Sequence, residues 1–234
     1  MDRTILVTGG NSDIGTSLIK QLRLMKSVRI ISTRNAGESI VDIVDKECVV
    51  DFSRISPSEL NNIFRDENIT DLVTLHGMHE ADDTFLNENN SPDLMNVNLF
   101  SVINLAKLCF PKMLENKFGR MIFVGTASAQ HGGGKHTFSY GLSKSGLTYL
   151  SQHLAKYYSS DGILINSISP GFVDTELTRR ILDENEIEKL IDTIPQNRLA
   201  DASEIAKIVI FLSSNHNTYI TGQNIIVDGG YTSV

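Results

Sequence analysis

Apolar residues fall along this chain in short unbroken runs that alternate with segments of helical periodicity. The run "TILVT", residues 4–8, ends at Gly9-Gly10 and reads as a strand covered on both faces. Ile14, Leu18, Leu22 and Met25 follow at helical spacing. "VRIIST" (28–33) and "ECVVD" (47–51) give a second and a third strand. "SPSELNNIF" opens a helix with Ser and Pro at its start. "DLVTLHG" (71–77) is a fourth strand, followed by a long helical stretch that is expected to bend or break at Pro111. "GRMIFVGT" (119–126) is a fifth strand, and residues 140–158 form a long amphipathic helix. "ILINSISPG" (163–171) is a sixth strand, "DASEIAKIVIFLSS" a helix capped by Asp201 or Ser203, and "QNIIVDGG" a seventh strand.

Short, non-alternating strands separated by helices predict an α/β fold. The expected architecture is a Rossmann-like doubly wound sheet of about seven parallel strands with helices on both faces, in one domain over 1–234. Such sheets bind ligands beyond the carboxyl ends of their strands. Gly9, Asp51, Gly77, Thr126 and Pro170 all fall there. The stretch 172–198 lacks strand pattern and is expected to act as a lid over the substrate.

Charge and cysteine content narrow the function classes. A net charge of -7 disfavours nonspecific binding to nucleic acid or anionic membrane. Cys48 and Cys109 show no paired or CxxC spacing, which fits a reducing cytoplasm rather than a disulfide framework. The apolar run at the N-terminus is too short for a secretory signal. No unbroken apolar run approaches the roughly 18 residues of a membrane span.

Two features carry candidate chemistry. Gly9, Gly10 and Gly15 sit where a strand turns into a helix, so backbone N–H groups could approach a pyrophosphate. Taken alone the loop reads equally well as a steric turn. It is not a P-loop, because no Gly-Lys-Ser/Thr follows. Tyr140 and Lys144 stand one helical turn apart. A nearby ammonium favours a phenolate, so such a pair can exchange a proton with a carbonyl or hydroxyl oxygen.

These features occur in one order with Asn98 in "NVNL", the strand "GRMIFVGTAS", "INSISPGFVDT" and the terminal "YITGQNIIVDGG". In that order they resemble the short-chain dehydrogenase/reductase family over nearly the whole chain. The resemblance implies an NAD(P)(H)-dependent oxidoreductase that moves hydride between a nicotinamide and a small-molecule carbonyl or secondary alcohol. It implies Tyr140 as acid-base, and Lys144 as the residue that lowers its pKa and holds the nicotinamide ribose. Asn98 would fix a proton-relay water. Pro170, Gly171 and Val173 would lie against the nicotinamide, and Thr175 would cap its amide and phosphate. Gly9, Asn11, Ser12, Asp13, Ile14 and Gly15 would surround the pyrophosphate. Asp51, with Phe52 beside it, would meet the adenine. A homotetramer or homodimer is implied as well.

The chain also departs from the family pattern. The position of the catalytic serine, counted back from Tyr140, is Ala127. Strand register instead gives that role to Thr126, with Ser128 as the rival. The family's Asn-Asn-Ala-Gly is Thr74-Leu75-His76-Gly77. Gly77 keeps the close approach to the cofactor, and His76 is expected to pack near the adenosine ribose. His79 follows, but no third ligand accompanies the pair, so no metal site is expected. The second strand ends in Thr33-Arg34 with no acidic residue, and a guanidinium suits a 2′-phosphate. NADP(H) is therefore expected ahead of NAD(H). Asp13 replaces the family's middle glycine and is expected to cap the first helix, its carboxylate turned from the pyrophosphate. These departures leave a second reading, a catalytically weak dinucleotide sensor or scaffold on the same fold. The substrate stays open among 3-oxoacyl, sugar-linked and steroid-like alcohols.

Overall fold

The computed structural model describes residues 3–25, 27–80, 83–86 and 92–233. Seven strands form one sheet: β1 (Arg3–Thr8), β2 (Val28–Arg34), β3 (Lys46–Val49), β4 (Asp71–Thr74), β5 (Gly119–Val124), β6 (Ile163–Pro170) and β7 (Asn224–Val227). Their order is β3-β2-β1-β4-β5-β6-β7, and every neighbouring pair is parallel. The helices are α1 (Asp13–Leu22), α2 (Pro57–Phe64), α3 (Pro92–Met95), α4 (Ser101–Asn116), α5 (Phe138–Tyr158), α6 (Glu176–Ile181), α7 (Glu184–Ile191) and α8 (Ala202–Ser213).

The central strands are largely apolar because they feed two cores. Ile5, Val7, Ile30, Val73, Ile122 and Ile168 pack with Leu18, Ile19 and Leu22 of α1 and with Ile205, Val209 and Leu212 of α8. Leu6, Ile31, Leu72, Met121, Phe123 and Ile165 point the other way, onto Leu60 and Phe64 of α2, Leu105 and Met113 of α4, and Leu147 of α5. Successive strand residues therefore serve opposite faces. Strand order runs outward in opposite directions from β1 and β4, so a crevice opens between their carboxyl ends.

Three details differ from the sequence reading. Strands end earlier than expected, β4 at Thr74 and β5 at Val124, and β3 begins one residue sooner, at Lys46. Beyond those ends single bonds persist, Leu75 N–H donating to the Thr8 carbonyl and Gly125 N–H to Ile168. The chain then turns into the crevice. Pro111 does not end its helix; α4 runs on to Asn116 and stops at Lys117, which is left-handed (φ 48°). Pro111 and residue 107, whose carbonyl it leaves without an N–H, both lie on the exposed side, where water can serve that oxygen. The irregular turn comes earlier, as a π-helical stretch over Asn96–Phe100. Finally, the helical run Pro92–Asn116 is long and apolar enough to cross a membrane by length and composition, which the search for unbroken apolar runs missed. Here its apolar face packs in the core through Leu105, Cys109 and Met113.

The capping expectations sharpen. Ser56 and Glu59 form a capping box ahead of Pro57, and Asp201, not Ser203, caps α8. Between β6 and α8 the chain forms α6 and α7, its two ends joined by a bridge between Val173 and Ala200.

Candidate active site

The glycine loop closes on itself first. Gly9 has φ +67°, and a Cβ there would stand 2.8 Å from the backbone nitrogen of His76. Only glycine fits both conditions. A Cβ on Gly15 would meet the Gly9 carbonyl at 2.5 Å, so that glycine seats α1 against the loop. Ser12, not Asp13, caps α1: its hydroxyl accepts from Gly15 N–H (3.1 Å) and donates to the Gly9 carbonyl (2.7 Å). The Asp13 carboxylate instead accepts from the backbone N–H of Glu176, the first residue of α6, at 2.9 Å. The expected cap at Asp13 is thus corrected, since the shorter serine reaches the first-turn amide from the preceding position. Asn11 donates its side-chain amide to the Ala36 carbonyl (2.7 Å) and ties the loop to the end of β2. Among the described residues, the N–H groups of Asp13 and Ile14 have no acceptor. They stand at the positive end of a ten-residue helix.

The second cluster forms where α5 crosses the ends of β4 and β5. The Thr126 hydroxyl lies near enough to the Tyr140 phenol to act on its ionisation. The Thr126 hydroxyl is hydrogen-bonded to Ser128 Oγ at 3.1 Å. Of the two candidate hydroxyls, Thr126 is the one that acts on Tyr140. Lys144 is 6% exposed and donates from Nζ to the Val124 carbonyl at 3.1 Å, the one acceptor it has among the described residues. A Cβ on Gly77 would lie 3.2 Å from that Nζ and 3.4 Å from Asn98 Oδ1, so glycine is what lets the three approach. Asn98 accepts from Met78 N–H (2.7 Å) and donates to the Met78 carbonyl (2.9 Å), clamping the chain as it leaves β4.

Burial dominates the electrostatics here. It pushes the Tyr140 phenol above its ordinary value, and the nearby Thr126 hydroxyl pulls it part of the way back. The Lys144 Nζ lies 5.9 Å from the Tyr140 ring centroid. Burial brings Lys144 itself down to about 8.

Asp83 escaped the sequence reading. Its buried carboxylate accepts from Ser139 N–H (2.8 Å) and Tyr140 N–H (2.7 Å), and its carbonyl accepts from Phe138 N–H. Thr137, which precedes α5, makes no side-chain cap, so Asp83 caps the helix from a different part of the chain. No local signal in the sequence marks such a long-range cap.

His76 sits between the end of β1 and the start of α4. Its Nδ1 lies 2.5 Å from the Thr8 hydroxyl and its Nε2 2.7 Å from Ser101 Oγ. The Ser101 hydroxyl donates to the Val97 carbonyl (2.6 Å), which assigns the proton to Nε2 and makes Thr8 the donor to Nδ1. Burial and the Lys144 charge hold the ring neutral, its pKa lowered to about 3. The ring stacks on Phe52 at 4.0 Å. Phe52 is therefore packed beneath His76, and His76 spans β1 to α4 as a brace, with both nitrogens engaged.

Beyond the end of β3, Asp51 turns into its own loop, accepting from Ser53 N–H (3.0 Å) and the Ser53 hydroxyl (2.7 Å). Arg34 donates to Glu47 from Nε (3.1 Å) and to the Gly37 carbonyl from Nη1 (3.5 Å). At the other end of the crevice, Gly171 N–H donates to the Val227 carbonyl, and a Cβ there would collide with Asp228 at 2.7 Å. Pro170 and Val173 are buried beside it. Thr175 caps α6 by accepting from Thr178 N–H (3.2 Å).

A buried ammonium with a single acceptor, and helix N–H groups with none, suit a ribose diol and a pyrophosphate in the same crevice. This fold and site define a nicotinamide-dependent oxidoreductase of the doubly wound class. The family described as enoyl-(acyl carrier protein) reductase matches residues 72–232. The chain is 30% identical to the 3-oxoacyl-[acyl-carrier-protein] reductase FabG of Escherichia coli over 96% of this chain and 95% of that protein. It is 30% identical to the 3-oxoacyl-[acyl-carrier-protein] reductase MabA of Mycobacterium tuberculosis over 98% and 93%. Two solved structures share the fold. One is a short chain dehydrogenase family protein of Francisella tularensis (TM-score 0.88, 24% identity, 100% of both chains). The other is a putative 2-deoxy-d-gluconate 3-dehydrogenase of Agrobacterium tumefaciens with bound NADP (TM-score 0.89, 24% identity, 99% and 97%). The chain belongs to the short-chain dehydrogenase/reductase family. It is an oxidoreductase that transfers hydride between NAD(P)(H) and a carbonyl/alcohol pair.

Proposed function

We propose that this oxidoreductase reduces the 3-oxo group of an acyl thioester, with NADPH as the hydride source. The observation that carries the proposal is the proximity of the Thr126 and Tyr140 hydroxyls at the carboxyl edge of the sheet, beside a buried lysine. Together they can present two hydrogen bonds to one carbonyl oxygen, donors set in place for the charge that develops there. Bound dinucleotide supplies the hydride. Tyr140 supplies the proton at oxygen, and Thr126 polarises that oxygen. Burial holds Tyr140 protonated at neutral pH, the form that reduction needs. The Lys144 ammonium, aimed by the Val124 carbonyl, steadies the phenolate left behind and serves the nicotinamide ribose. Asn98 and Asp83 act through backbone, holding Met78 and the start of α5 in register with the pair.

The thioester is supported by the two reductases of 30% identity, whose names specify 3-oxoacyl-[acyl-carrier-protein]. It is supported too by Leu177 and Ile181, exposed apolar residues one turn apart on α6 that suit an acyl chain. In this reading the single domain carries 172–198 as its substrate lid. Pro170, Gly171, Val173 and Thr175 line the nicotinamide end, and Gly9, Asn11, Ser12, Ile14 and Gly15 frame the pyrophosphate. Arg34 supports NADPH over NADH, although Glu47 already holds part of its guanidinium. Leu142, Tyr149 and Tyr157 on α5, with Phe100 and Leu114 near and on α4, leave apolar surface exposed. That surface supports a homodimer or homotetramer. Two free cysteines support a reducing cytoplasm.

The test is NADPH oxidation with a panel of 3-oxoacyl thioesters, simple ketones, ketosugars and ketosteroids. Highest kcat/KM on the thioesters is the expected result. Turnover confined to sugars or steroids would overturn the substrate, and none on any carbonyl would favour a sensor.

A further inference from the structure

Asp13 places a carboxylate in a loop whose other residues are neutral, from Gly9 to Gly15. It is not needed to start α1, because Ser12 caps that helix completely enough to satisfy Gly15. Its Oδ2 reaches instead across the mouth of the crevice to Glu176 N–H at 2.9 Å, a partner 163 residues away in sequence. The segment it holds is preassembled. Asp174 N–H donates to the Ala200 carbonyl, Arg179 grips Asp174 through two hydrogen bonds (2.7 and 2.8 Å), and Thr175 caps Thr178 N–H. The near end of this segment is anchored at the bridge between Val173 and Ala200, and Asp13 tethers α6 to the glycine loop.

We infer that Asp13 is a positioning residue that tethers the lid to the glycine loop, and that its charge makes the dinucleotide's pyrophosphate compete with the tether. The same helix start offers the Asp13 and Ile14 N–H groups for which an anion is the natural partner. Two anions at one helix start repel each other, so binding of the pyrophosphate weakens the hold on α6, and the held lid lowers affinity for the pyrophosphate. Lid position and dinucleotide occupancy are coupled through a single side chain, and the coupling is reciprocal. Asp13 is exposed, so salt screens the effect.

Two variants separate the tether from the charge. Asp13→Ala removes both; Asp13→Asn keeps an acceptor for Glu176 N–H and removes the charge. Limited trypsin digestion of the ligand-free protein reads the tether, because Arg179 and Arg180 lie in the tethered helix. Cleavage there is expected to be about two- to fivefold faster in Asp13→Ala and unchanged in Asp13→Asn. Fluorescence titration reads the charge. Asp13→Asn is expected to bind NADPH about two- to fivefold more tightly at low salt and to bind adenosine, which has no phosphate, as the wild type does. Equal lid cleavage in wild type and Asp13→Ala would overturn the tether. NADPH affinity that is unchanged or weakened in Asp13→Asn would overturn the competition. The second arm rests on the dinucleotide reading above; a wild type that binds no dinucleotide would overturn that reading and the competition together, while the digestion still decides the tether.

Discussion

The Thr126 hydroxyl lies close enough to the Tyr140 phenol to lower its pKa, although one follows the end of β5 and the other sits in the first turn of α5. The chain between them is a short 3₁₀ turn at Ala127–His131 and a glycine-rich loop, which absorbs the extra residue relative to the family spacing. In the proposed mechanism threonine takes the serine's role without moving the tyrosine. Thr126→Ala is expected to lower kcat by about 10²–10³, the cost of removing one donor to a developing oxyanion. Ser128→Ala, one hydroxyl further back, is expected to cost less than about tenfold. Steady-state kinetics of the two variants decide between them, and the reverse order would transfer the role to Ser128.

Arg34 is only partly available to a 2′-phosphate. Glu47, itself held by the Ser39 hydroxyl (2.6 Å) and Ile40 N–H (2.8 Å), accepts from Arg34 Nε and adds a negative charge at the same mouth. Those bonds hold the Glu47 carboxyl below the usual range despite its burial, so it stays charged at neutral pH. Glu47→Gln is expected to strengthen NADPH binding by about threefold to tenfold with little change for NADH, as a charge near a bidentate site does. Arg34→Ala is expected to remove the preference for NADPH. Equal NADPH affinity in wild type and Arg34→Ala, measured by fluorescence titration, would remove Arg34 from the cofactor site.

His76 makes stability depend on acid. Its folded pKa, about 3, lies below the ordinary 6.5 of an unfolded histidine. Between those values the unfolded chain binds a proton that the folded chain refuses, so stability falls as pH drops through that window and is retained above it. The size is on the order of 3–5 kcal/mol. His76→Asn, which cannot titrate, is expected to flatten the fall in urea-unfolding free energy between pH 6.5 and about 4. An identical slope in the two proteins would show that the ring is not held neutral.

The sheet and the order of its helices were legible because strand and helix periodicity is local: "TILVT" and "GRMIFV" carry their own signal. Tyr140 and Lys144 were legible for the same reason, one turn apart on one helix. The partners that tune the site were not. Asp83 caps α5 from the far side of α4, Asp13 reaches α6, and Glu47 holds Arg34 from the neighbouring strand. Each contact joins residues that only the tertiary fold brings together, and neither an aspartate nor a glutamate announces its partner. Phe52 and His76 show the converse. They were expected beside the adenosine, but they stack on each other and turn inward as structure.

Tyr140 is the group proposed to hand a proton to the reduced oxygen. The most direct measurement is single-turnover NADPH oxidation with a 3-oxoacyl thioester by wild type and Tyr140→Phe, together with NADPH affinity by fluorescence titration. A loss of about 10²–10⁴ in rate is expected, with affinity kept within about twofold. A variant that still turns over near the wild-type rate would place the acid-base elsewhere and contradict the account.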